Sequence, residues 1–150
     1  MYQKCALMLF STAGALALSA TAAIAGWTPY GNTNPITSSP SSWVCGATKA
    51  VTTDGKVLSQ VCTVRSSSGQ SVRGAVIVRN NRASLFTTTA SMSVYYYSGT
   101  LYGNWSCSSS GVGANSWSVC FGTTFAASNS SHYTTGYANN VWLGNSGTNF

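Results

Sequence analysis

The chain has 150 residues, of which only 5% are charged: seven Lys and Arg stand against one acidic residue, for a formal net charge of +6. One carboxylate and one histidine exclude the paired-carboxylate designs of glycosidases and aspartic proteases. Aromatic residues make up 12% of the chain and β-branched residues recur regularly, which excludes a disordered polymer.

At the N-terminus Lys4 precedes the apolar run "ALMLFSTAGALALSATAAIA", which closes on Ala23-Ile24-Ala25. Small residues at both positions before a cut suit a signal peptidase, so a signal peptide is expected over 1–25. No basic stop-transfer signal follows, so no stable membrane insertion is expected. The expected location is secreted and extracellular.

Residues 26–42, "GWTPYGNTNPITSSPSS", carry no charge. Pro29, Pro35 and Pro40 disfavour helix and central-strand pairing, so the segment reads as an extended N-terminal arm. Trp27 and Tyr30 stand near its start. Either the arm covers a sheet edge of its own domain, or it inserts into a groove on a partner. The second arrangement is favoured, which makes Trp27 and Tyr30 partner-binding anchors.

Beyond the arm, turn signals recur about every 8–12 residues, the spacing of a sandwich or barrel. Strands are expected at 43–48, 57–65, 71–79, 84–90, 93–97, 101–107, 116–125, 133–137 and 140–143. Asp54-Gly55, Ser68-Gly69, Asn80-Asn81 and Ser98-Gly99 supply the turns. The expected fold is all-β: one antiparallel β-sandwich over 43–150, immunoglobulin-like or similar. In "SVRGAVIVRNN" the alternation places Val72, Gly74, Val76 and Val78 on a core face. Arg73, Ala75, Ile77 and Arg79 fall on the other, which reads as solvated.

Cys5 leaves with the signal, and Cys45, Cys62, Cys107 and Cys120 remain, an even set in an exported chain. "WVCGATKAVTTDGKVLSQVC" and "WSCSSSGVGANSWSVC" each open with W-x-C and close on V-C. Both read as hairpins, which favours Cys45–Cys62 and Cys107–Cys120 among the possible pairings. No C-x-x-C pair occurs and His132 is the only histidine, so neither metal nor cofactor is expected.

A nucleophilic triad would have to recruit Asp54 and His132. Asp54 before glycine suits a hairpin turn, His132 adjoins an expected strand, and nothing in the sequence brings them together. No enzyme is expected.

In "SVYYYSGTLYGNWSC" a strand puts Tyr95 and Tyr97 on one face, a second partner-binding surface. An alternative is a carbohydrate- or cell-envelope-binding module that stacks Tyr95, Tyr97, Tyr102 and Trp105 on sugar rings. A further alternative is a small basic secreted toxin or bacteriocin. Lys49, Lys56, Arg65, Arg73, Arg79 and Arg82 are too scattered for a nucleic-acid footprint, so no nucleic acid is expected.

The succession "VRGAVIVRNN", "SVCFGTT" and "YTTGYANNVW" resembles a group of small secreted actinomycete proteins, each with a signal peptide and one disulfide-stapled β-sandwich. The group includes the small adaptor of the umbrella toxin particles. The resemblance covers residues 43–143, with the arm in the corresponding role. It implies a non-catalytic subunit that joins a toxin-bearing stalk protein to lectin-carrying, protease-like subunits, partly through an extended N-terminal segment. The partners it implies are other secreted proteins in a hetero-oligomeric assembly.

Overall fold

A computed structural model describes residues 25–127 and 129–148. Except for Ala25, the signal peptide expected over 1–25 lies outside the described residues. The strands are β1 (Gly26–Gly31), β2 (Ser42–Cys45), β3 (Lys49–Ala50), β4 (Val57–Arg65), β5 (Ser71–Asn80), β6 (Phe86–Tyr96), β7 (Leu101–Val112), β8 (Ser116–Phe121), β9 (Phe125–Ala126), β10 (His132–Ala138) and β11 (Val141–Asn145). Every pairing is antiparallel. The larger sheet runs β1-β8-β5-β4-β2, with β3 also on β4 and β9 also on β5. The smaller runs β11-β10-β6-β7. The two sheets pack face to face, so the chain is the all-β antiparallel sandwich that its alternation predicts.

The inner faces follow the period of two. Val72, Val76 and Val78 of β5, Val57 and Val61 of β4, and Met92 and Val94 of β6 are all buried between the sheets. At Gly74 the sheets approach so closely that a Cβ would stand 2.9 Å from Val94 and 3.0 Å from Thr134. Three hydroxyls in this core are matched to one another. Thr63 Oγ1 lies 2.7 Å from Thr134 Oγ1 and 2.8 Å from Ser146 Oγ, which ties β4 to β10 and to the segment after β11. Both disulfides have the expected pairing. Cys45–Cys62 joins directly opposed residues of β2 and β4. Cys107–Cys120 links β7 to β8, one strand from each sheet.

The outer face of the larger sheet is not solvated as read from the sequence. Ala75, Ile77, Val119, Cys62 and Val64 form a second buried cluster there, covered by Tyr30, Ile36, Trp43 and Trp117. The cover is the N-terminal segment itself. β1 lies along β8 at one edge of the sheet, and β2 lies along β4 at the opposite edge. The chain between them crosses the face, held by a turn in which Ser38 N donates to Asn34 O and by Arg79 Nη1 donating to Asn32 Oδ1. Arg73, expected to point into water, lies half-buried with its guanidinium 3.6 Å from the centre of the Phe121 ring.

Two further differences are local. Strands expected at 84–90 and 93–97 are one continuous β6, in which Ala90, Met92 and Val94 are buried and Thr89, Ser91 and Ser93 alternate with them on the outer face. β1 was not expected as a strand because of Pro29. An edge strand needs no donor on its open side, so it tolerates proline.

Candidate functional site

The four aromatics expected to bind partners do not form one surface. Trp27 lies opposite Cys120 on β1 and packs on the inter-sheet core, while its indole Nε1 donates to Ser108 O at 2.7 Å. Tyr30 packs on the cluster over the larger sheet. Tyr95 and Tyr97 belong to the outer face of the smaller sheet, on the other side of the molecule. Tyr95 stacks on Tyr133, with centroids 5.1 Å apart and planes 11° from parallel. Tyr97 follows β6 in the hairpin to β7 and is 71% exposed.

The platform of Tyr95, Tyr97, Tyr102 and Trp105 is divided as well. Trp105 is partly buried between the sheets. Tyr102 stacks on Phe125 at 3.7 Å and edges toward His132, closing one end of the sandwich.

His132 is buried there among Tyr96, Tyr102 and Phe125, and its Nδ1 lies 2.9 Å from Ser130 O. Burial lowers its pKa below the ordinary histidine value. The Ser130 carbonyl acts in the opposite sense, and the Arg65 charge adds to the lowering. Asp54 sits at the other end of the sandwich, before β4. It accepts from Arg82 Nε at 2.9 Å, from Thr52 Oγ1 and from Lys56 N, and these donors hold its carboxyl well below the usual carboxylate range. The two candidate catalytic groups are separated by the length of the strands. Among the described residues no cluster of three or more His, Cys, Asp or Glu could hold a metal.

A concave, solvent-facing feature lies on the outer face of the smaller sheet, where strand register sets side chains in rows. Trp142, Tyr137, Ser91 and Ser106 make one row across β11, β10, β6 and β7. Asn145, Thr135, Ser93 and Asn104 make the next. Tyr133, Tyr95 and Leu101 make the third. The polar middle row, with the serines of the first, floors a trough of about 380 Å³. It is continuous through Ser91, Ser106 and Tyr137 with a hollow of about 300 Å³ that reaches Asn140. Trp142 and Tyr137 stand at one end with ring centroids 4.9 Å apart, each 46% exposed. The Tyr95–Tyr133 stack stands at the other.

Sequence reasoning missed Tyr133, Tyr137 and Trp142 as surface residues. The signal was the alternation in "HYTTGYA", which puts Tyr133, Thr135 and Tyr137 on one face. The turn Asn139-Asn140, with both residues at positive φ, then returns Trp142 beside Tyr137. Compared with protein-family models, curated proteins and solved structures, the chain matches none of them.

Proposed function

We propose that the protein is a secreted, non-enzymatic adaptor that docks other proteins of an extracellular assembly through the hairpin end of its smaller sheet. One observation carries this reading. Of the six large apolar side chains exposed among the described residues, Tyr97, Leu101 and Tyr102 share one hairpin. Leu101 lies beside Tyr95 and is 48% exposed, so the patch runs on into the Tyr95–Tyr133 stack. Exposed Tyr on an uncharged patch is a side chain that anchors protein partners, and Leu101 adds apolar area beside it. Two disulfides agree with an extracellular location. The resemblance to the umbrella-particle adaptor supports the same role, there partly through an N-terminal segment. Here Trp27 and Tyr30 are half-buried against their own domain, so the hairpin presents more of its aromatic surface.

The test is a pull-down from the culture supernatant of the producing cell, with oxidised residues 26–150 as bait. A Tyr97→Ser/Leu101→Ser variant and a Tyr30→Ser variant run beside it. A secreted protein kept by wild type and by Tyr30→Ser, and lost by the hairpin variant, supports the proposal. Loss only with Tyr30→Ser moves docking to the N-terminal strand. Absence of any captured protein ends the adaptor reading.

A further inference from the structure

We propose that the trough on the outer face of the smaller sheet is a binding site for a neutral oligosaccharide, which meets the protein-docking hairpin only at the Tyr95–Tyr133 stack. The side chains of Ser91, Ser93, Asn104, Ser106 and Thr135 line it. The side-chain hydroxyls and amide of these five make no hydrogen bond with another described residue, although their backbones are paired in the sheet. Hydroxyls and an amide both donate and accept, as sugar hydroxyls do, so the floor offers several uncommitted partners of the matching kind. The aromatic ends supply the apolar half of the match. Tyr137 and Trp142 present ring faces on which the C–H face of a pyranose packs, and the Tyr95–Tyr133 stack bounds the other end. Four residues separate Tyr133 from Tyr137 along β10, so the two aromatic pairs stand ~13 Å apart. That distance suits a short chain of sugar units better than a single ring.

The charge pattern selects among ligands. The three rows contain no Lys, Arg, His, Asp or Glu. Lys49 reaches the sheet only at its edge, where its Nζ donates to the Trp142 carbonyl at 3.2 Å, so a nucleic acid or a sulfated glycan would bring anionic groups to a floor with no cation of its own. An extended peptide finds its main-chain partners at a sheet edge, whereas the trough lies on a face whose backbone groups are already paired.

The experiment uses the oxidised protein and a panel of neutral hexasaccharides: β-1,4-linked glucose, N-acetylglucosamine and mannose, and α-1,4-linked glucose. Binding is followed by tryptophan fluorescence and by calorimetry, with a sulfated hexasaccharide beside the panel. At least one neutral member binds, with an affinity that is unchanged between 50 mM and about 500 mM salt. Trp142→Ala and Tyr137→Ala each weaken it tenfold or more while the melting temperature holds. Ser93→Arg, which fills the floor without touching the aromatics, abolishes it. Tyr97→Ser, which lies beyond the end of β6 and outside the three rows, leaves sugar affinity intact, so this site and the docking hairpin can fail independently. The proposal is overturned if no neutral hexasaccharide binds, if binding survives Trp142→Ala and Ser93→Arg, or if only the sulfated ligand binds.

Discussion

The indole Nε1 of Trp27 donates to the carbonyl oxygen of Ser108 at 2.7 Å, so one side chain spans from the outermost strand of the larger sheet to the edge strand of the smaller. It satisfies a carbonyl on the open side of β7 and closes that corner of the sandwich. A bare strand edge there would be a template for pairing with another chain.

Trp27→Phe keeps most of the apolar packing and removes the hydrogen bond, at an expected cost of ~1 kcal/mol. Trp27→Ala also removes the ring and costs ~3 kcal/mol. Urea unfolding of the two variants separates the polar from the apolar contribution. An undiminished stability of Trp27→Phe would mean that the bond to Ser108 contributes nothing.

Deleting residues 26–41 uncovers Ala75, Ile77 and Val119, which are 0%, 1% and 0% exposed beneath the crossing segment. The expected result is a protein that binds ANS and self-associates on a sizing column. A monomeric, dye-silent truncation would show that the crossing segment is dispensable cover.

Acid should destabilise the domain through two groups, since the chain has one histidine and one acidic side chain. Burial depresses the folded pKa of His132. Stability is therefore full above the ordinary histidine value of about 6.5 and falls as the pH drops below it, levelling off beneath the depressed folded value. Asp54 is depressed as well, by Arg82 first and then by Thr52 and Lys56. Its contribution is present above the usual carboxylate range and is lost only in stronger acid. Melting temperatures from pH 8 to pH 3 should show a first step that is absent in His132→Phe and a later decline that is reduced in Asp54→Asn. A first step that persists in His132→Phe would assign it elsewhere.

The two disulfides close loops of similar length, with sequence separations of 17 and 13. Loop entropy assigns ~3 kcal/mol to each. Replacing either cysteine pair with alanine should lower urea stability by about that amount. A much larger loss for Cys107–Cys120 would mean that joining the two sheets matters beyond the entropy of the loop.

Gly74→Ala places a methyl where Val94, Thr134 and Met92 already touch and should cost ~1–3 kcal/mol through overpacking. An unchanged denaturation midpoint would show that the facing sheet can give way.

Strands were legible where runs of β-branched residues stand between turn signals. Val57–Arg65 was read with its observed bounds, and Ser71–Arg79 extends by one residue. The disulfide pairing was legible because each bridge lies within a local stretch of chain. The second cluster was not, since nothing near Arg73 and Ile77 in sequence says that Ile36 will cross above them. The trough was illegible for a different reason. Ser91, Ser93, Thr135 and Asn104 are ordinary residues for an exposed strand, and only the pairing of three strands sets them in rows between aromatic pairs.

Consider when the first strand acquires its neighbour. Ser118 Oγ donates to Thr28 O across 90 residues of sequence, so β1 waits for almost the whole chain before its partner exists. Loop closure over such a distance is slow. Until β8 is available, the arm is an unpaired segment beside a growing chain. The order of synthesis thus delays completion of the larger sheet until most of the chain has been made.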